Sequence, residues 1–126
     1  MNLLLDDVRN YLIAQGAVPS GWSVYEGYIP AEVTQVIVVF ETPGGPADTL
    51  LRENERVAFQ TRVRGGRLDY PIVHRVWLRI FNALQDSIMG PGYYLTQAAH
   101  HGPMMFSDDL GRTNLVTNWR VLRQRS

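Results

Sequence analysis

A chain of 126 residues is long enough to build a core, since chains of this size bury about two-thirds of their unfolded surface. Twelve acids against twelve bases leave no net charge, which argues against a general polyanion binder whose affinity rests on neutralising phosphates. With no cysteine, disulfides and thiolate zinc sites are excluded, and any metal would need His and carboxylate ligands.

Every base is an arginine. Coding bias is the plainer reading; the flat, bidentate guanidinium also suits interfaces. The opening MNLLLDDVRNYL lacks the basic start and longer apolar run of a secretion signal, and no stretch approaches the roughly 20 apolar residues of a membrane span. A soluble protein without membrane contact, staying where it is made, is expected.

In chain order, residues 2 to 15 predict a first helix, with Asn2 as N-cap, Leu4, Leu5, Val8, Tyr11 and Leu12 on one face, Asp6, Asp7, Arg9 and Asn10 facing water, and Gly16 past the end. WSVYEGY (22 to 28) and the β-branched VTQVIVVFE (33 to 41) predict two strands that pair across the IPAE connection. TPGGPADTLLRENE (42 to 55) concentrates Gly, Pro and charge into a connection far longer than the roughly 2 to 5 residues of a tight hairpin. It is expected to be mobile in the free protein and to order against a neighbour, with Leu50 and Leu51 as apolar anchors beside Pro43, Gly44, Gly45 and Pro46.

VAFQTRVRGG (57 to 66) predicts a strand with two unlike faces: Val57, Phe59, Thr61 and Val63 on one, Ala58, Gln60, Arg62 and Arg64 on the other. An arginine face can serve nucleic acid, a charged channel, a second copy of the chain, or solvent. Replacing both Arg62 and Arg64 by glutamate is expected to leave the monomer folded, because the opposite face holds the core. DYPIVHRVWLRIFNALQDS (69 to 87) then predicts an amphipathic helix, capped by Asp69, with Pro71 in its first turn and Ile72, Val73, Val76, Trp77, Ile80, Phe81 and Leu84 towards a sheet. YYLTQAA (93 to 99), PMMFSDD (103 to 109) and NLVTNWRVLR (114 to 123) predict three more strands. The expectation is a single α+β domain over 1–126: a mainly antiparallel β-sheet with two α-helices packed on one face.

Signs of chemistry are sparse. His100 and His101 near Asp108 and Asp109 form the only grouping that could ligate a metal, but neighbouring strand-end residues point apart, so a solvated turn is the better reading. His74 reads as a partly buried structural histidine. No GxSxG elbow or phosphate loop is present, and PGGP lacks the phosphate-loop spacing. No catalytic residue, cofactor or metal is expected. Arg62, Arg64 and Arg67 ahead of Tyr70, with Arg120, Arg123 and Arg125 near the end, keep a nucleic-acid-binding module as an alternative.

The helix ending QGAV, WSVYEGYIP, VIVVFETPGGPADT, FQTRVRGG and DYPIVHRVWLRIFNAL together resemble the tail-terminator group among the minor capsid and tail-completion proteins of long-tailed bacteriophages. The resemblance covers most of the chain up to Tyr93. It implies a structural protein of the virion neck, made in the host cytoplasm, that forms a ring, commonly a hexamer. Such a ring caps the head-proximal end of the tail tube and presents a surface to the head connector. Other neck rings, the head-closure and adaptor proteins, are the nearest alternative. On that reading Gln60, Arg62, Arg64 and Arg67, with Leu50, Leu51, Pro43, Gly44 and Gly45, are the candidates for a contact with a neighbouring subunit or tube protein, or for lining a lumen through which DNA passes.

Overall fold

The computed structural model describes residues 3–43 and 53–125. They form α1 (Leu4–Ala14), β1 (Ser23–Glu26), β2 (Val36–Thr42), β3 (Asn54–Arg64), α2 (Tyr70–Leu84), β4 (Tyr93–Ala98), β5 (Met104–Ser107) and β6 (Thr113–Gln124). The sheet runs β1-β2-β3-β6-β4, with β5 also paired to β6. All pairs are antiparallel except β1 with β2. The architecture is the expected α+β, with both helices on one face.

α1 forms because Leu4, Val8 and Leu12 recur one turn apart and are all buried. Gly16, at φ +70°, ends it, and the Ala17 N–H bonds back to the Leu12 carbonyl. Leu3 occupies the cap position without a side-chain hydrogen bond; Asn2, the expected cap, lies outside the described residues. Asp6, Asp7 and Arg9 are half-buried rather than fully in water.

The first two strands pair as expected, but in parallel, so residues 27 to 35 must return along the sheet instead of closing a hairpin. The long connection after β2 is shorter at both ends than its composition suggests, because Thr42 belongs to β2 and Asn54 and Glu55 to β3. The mobility expected of its centre, and the roles expected of Gly44, Gly45, Leu50 and Leu51, concern residues outside the described ones.

α2 lays Val73, Val76, Trp77, Ile80 and Leu84 on the sheet, each burial contributing roughly 1.5–3 kcal/mol. Ile72 departs from the expected stripe and is exposed. Asp69 stands at the cap position but does not cap; its carboxylate accepts the Gly66 N–H at 3.1 Å, which folds the turn into the helix instead. Between helices and sheet, two indoles find hydroxyl partners. Trp119 Nε1 donates to Thr61 Oγ1 at 2.9 Å and Trp77 Nε1 to Thr117 Oγ1 at 2.7 Å, so neither buried N–H is left unpaired.

Candidate interaction face

The face of the sheet away from the helices carries the residues of interest, and the pairing register sets them in rows. Thr42, Ala58, Arg120 and Gln97 form one row; Phe40, Gln60 and Asn118 the next. Val38, Arg62, Val116 and Met104 follow, then Val36, Arg64, Asn114 and Phe106. Residues directly opposite across neighbouring strands share a face. Arg56, two residues before Ala58, therefore lies diagonal to Arg120 on the same side. The strand carboxylates sit on the other side: Glu26 is opposite Val39, Glu41 opposite Phe59, and Glu55 opposite Arg123. No described strand places a carboxylate on the open face.

The expected arginine cluster separates into three environments. Arg64 is only 3% exposed, and its guanidinium donates to the carbonyls of Pro30 and Val33. It pins the 27–35 connection across one end of the open face, where Val36 and Val38 are fully buried. Burial, followed by the nearby charge of Arg112, lowers its pKa. Arg64 thus lies on the same side of the sheet as Arg62, as expected, but buried there as a tether within the chain, so it offers no exposed contact to a neighbouring subunit or a lumen.

Arg62 does lie on the open face. Its guanidinium carbon sits 5.5 Å from the Phe40 ring centroid and 5.0 Å from that of Phe106. Cation–π attraction and a weak 3.5 Å bond to Gln60 Oε1 hold it, while its Nε is buried without a partner. Burial without a carboxylate lowers its pKa. Gln60 in turn donates to Asn118 Oδ1 at 3.0 Å.

Arg67 lies elsewhere, against Gly111 in the β5–β6 turn. That turn is built by Asp108, whose carboxylate accepts the Leu110 and Arg112 N–H groups and pairs with Arg112 Nε at 2.7 Å. Burial pushes the Asp108 carboxyl up, but these bonds outweigh it and hold the group below its usual range. Arg112 also donates to the Ala31 carbonyl at 2.7 Å, a second tie to the crossing connection.

The three C-terminal arginines also divide. Arg120 is exposed on the open face, and its side chain has no hydrogen bond or ion pair among the described residues. Arg123 points to the helix side and pairs with Glu55 at 2.7 Å, while Arg125 donates to the Asn54 carbonyl. Around Arg120 the face is shallowly concave. One hollow of about 420 Å³ is lined by Arg56, Leu95, Gln97, Arg120 and Leu122, and another of about 500 Å³ extends past Gln60 and Asn118 to Pro43.

β4 and β5 follow one another along β6, interrupted by residues 99 to 103. In the gap, Ala99 N–H donates to the Asn118 carbonyl, and the Asn118 N–H donates to His100 Nε2 at 3.1 Å. His100 Nδ1 pairs with the Gly102 carbonyl at 2.9 Å, so the imidazole carries its proton on Nδ1 and stands in for a strand carbonyl. His101 is exposed and takes no part. His74 lies half-buried between the rings of Tyr70 and Trp77. Among the described residues, no group of three His, Asp or Glu is placed to hold a metal ion.

Two arrangements had no separate signal in the sequence. Phe40 and Phe106, distant in the chain, become the walls around Arg62 only through register. On the helix side, burial first, then the neighbouring Asp6, raises the Glu26 pKa against a lowering by Arg9. Among the described residues, no helix is long and apolar enough to cross a membrane. No family model matches the chain and no curated protein matches it, so the phage-neck resemblance stands on the sequence stretches quoted for it.

Proposed function

We propose that the chain is a structural subunit of a closed homo-oligomeric ring of the tail-terminator kind, acting in the virion neck between the tail tube and the head connector, with no turnover of its own. One structural observation supports this most directly. The open face combines arginines, amides and no strand carboxylate with an apolar edge strand whose side chains on that face, Met104 and Phe106, are 44% and 40% exposed. An apolar rim beside arginines that face no strand carboxylate suits burial against another protein surface better than open solvent. The hexameric state, the tube protein and connector as partners, and a DNA-bearing lumen come from the sequence resemblance; another neck ring remains the neighbouring reading.

Solution mass together with negative-stain imaging, for the chain alone and with tail tubes, tests the proposal. Hollow annuli, free or seated on tube ends, are expected. Unlimited filaments grown from the tubes would overturn it, because a terminator has to stop polymerisation. The cationic open face also favours a second reading, a nucleic-acid-binding module. That reading requires steeply salt-dependent DNA affinity without annuli.

A further inference from the structure

The two edges of the sheet differ in how their backbone is covered. Along β4 the outward groups are taken: the Thr96 N–H donates to the Ser87 carbonyl and the Thr96 carbonyl accepts the Asp86 N–H, both at 2.8 Å, while the Ala98 N–H donates to Gln85 Oε1. β5, on the same edge, has no such cover. The Asp108 N–H bonds the Arg112 carbonyl, so alternation along the ladder turns residues 104 and 106 inward to β6. The N–H and C=O of Met105 and Ser107 then point outward, with no partner among the described residues. At the opposite edge the Gly27 N–H bonds the Val39 carbonyl, so the same alternation turns the backbone groups of Val24 and Glu26 in β1 outward. Each of these strands is four residues long, and neither carries the lysine or proline with which edges are commonly blocked.

We infer that β5 of one copy accepts β1 of a second copy as the next strand of its sheet, antiparallel, with Val24 opposite Ser107 and Glu26 opposite Met105. This rests on the ring reading and names the contact that closes it. β1 runs with β2, β2 against β3, β3 against β6 and β6 against β5, so β5 meets β1 antiparallel when copies follow one another in the same orientation. The outward-bonding residues of both strands also lie on the helix side, since Val24 is opposite Ile37 and Met105 opposite Leu115, both core residues. Opposed residues share a face, so the helices of both copies stay on one side of the joined sheet. Cover decides between this head-to-tail contact and a two-fold pairing of β5 with itself. α1 packs chiefly on β1 and β2, and α2 on β6 and β3, which leaves Met105 65% exposed on the helix side. An incoming β1 brings its α1 over Met105, whereas a second β5 brings no helix. A four-residue strand pair alone falls short of the roughly 800 Å² per partner of a standard interface, so stability needs the added helix and a ring in which every copy uses both edges.

The absence of cysteine gives a direct test. In the inferred register Tyr25 faces Phe106 at a non-hydrogen-bonded position, where opposed Cα atoms stand about 4.5 Å apart, within disulfide reach. Tyr25→Cys and Phe106→Cys, made separately and mixed, should oxidise to the mixed 25–106 dimer in preference to either homodimer. Ser107→Pro removes an outward N–H without touching a bond to β6, and Met105→Lys sets a charge at an exposed edge position. Both should keep the monomer's circular dichroism and weaken self-association roughly tenfold or more.

Annuli that persist in Ser107→Pro and Met105→Lys, without a 25–106 link, overturn the inference and leave the ring reading intact. The expected link found only in open filaments upholds the inference and overturns the ring. Oxidation of Phe106→Cys to its own dimer in place of the mixed one shows a two-fold β5 pairing and overturns the inference. Protection of the Met105 and Ser107 amides from hydrogen exchange only when tail tubes are added, with no 25–106 link, gives the edge to the tube protein and overturns it as well. Absence of both linkage and assembly up to millimolar protein overturns both readings.

Discussion

Arg62 and Arg64 stand two residues apart on one strand, on the same side of the sheet, in unlike surroundings. Nothing in VAFQTRVRGG separates them, because alternation fixes the side of a strand and not what lies over it. The crossing connection covers Arg64 and leaves Arg62 between two rings. Arg64→Glu should therefore cost about 3 kcal/mol or more, since it removes charged donors and turns a carboxylate towards two carbonyls. Arg62→Glu, which loses cation–π contacts at a half-exposed site, should cost about 1–2 kcal/mol. Urea unfolding of the two variants measures the difference, and equal losses would contradict the division of roles. The same stretch ends in glycines for a reason visible only in three dimensions: a Cβ on Gly65 would overlap the Val73 methyl where α2 returns onto the strand. Gly65→Ala should cost about 1–3 kcal/mol by the same measurement, through overpacking.

Most elements were legible because their signals are local. Apolar spacing located α2, β-branched runs located β2 and β3, and Gly or Pro marked the gaps. Direction and continuity were less legible, since they depend on which strands meet. The parallel entry of β1 and the alignment of β4 with β5 along β6 are set by long-range pairing. His100 shows how such an edge is completed, its imidazole replacing a missing strand acceptor for Asn118. His100→Ala should cost about 1–2 kcal/mol and speed exchange of the Asn118 amide hydrogen, with little change at β3. Unchanged exchange at Asn118 would show that water serves equally well. α1 is fastened to β4 in a similar way, by the Tyr93 hydroxyl donating to Asp7 at 2.6 Å. Burial first, then this bond, pushes the Tyr93 pKa up to about 12. A phenol whose folded pKa exceeds its unfolded value of about 10 contributes stability that is complete below that value and is lost as pH rises towards the folded one. Spectrophotometric titration should show one late-ionising tyrosine, absent in Tyr93→Phe.

Across the whole molecule, neutrality hides an ordered separation of charge, and the candidate site was only half legible for that reason. Composition shows equal numbers of acids and bases; register is needed to show that the strand acids lie on the helix side while Arg56, Arg62 and Arg120 lie on the other. The separation affects how stability varies with pH, because two carboxyls are shifted in opposite directions. Glu26 is raised, by burial and then by Asp6, so its folded form binds its proton more tightly than the unfolded chain does. Its contribution is complete in acid, below its unfolded pKa, and is lost as pH rises through the folded value. Asp108 is lowered despite burial, by its bonds to Arg112 and Leu110, so its contribution is present above its unfolded pKa and is lost as pH falls through the folded value. Glu26→Gln should therefore raise the unfolding temperature at neutral pH and make little difference in strong acid. Asp108→Asn should lower it at neutral pH, with the deficit shrinking as acid protonates the wild-type carboxyl. Thermal unfolding of the wild type and both variants across the acid range reads the two effects in one experiment under low-salt conditions. Parallel curves for the two variants would mean that neither carboxyl is coupled to folding as its surroundings require. A neutral-pH gain for Glu26→Gln would establish that the ionised Glu26 carboxyl is a cost to the folded chain, as burial and then the neighbouring Asp6 require.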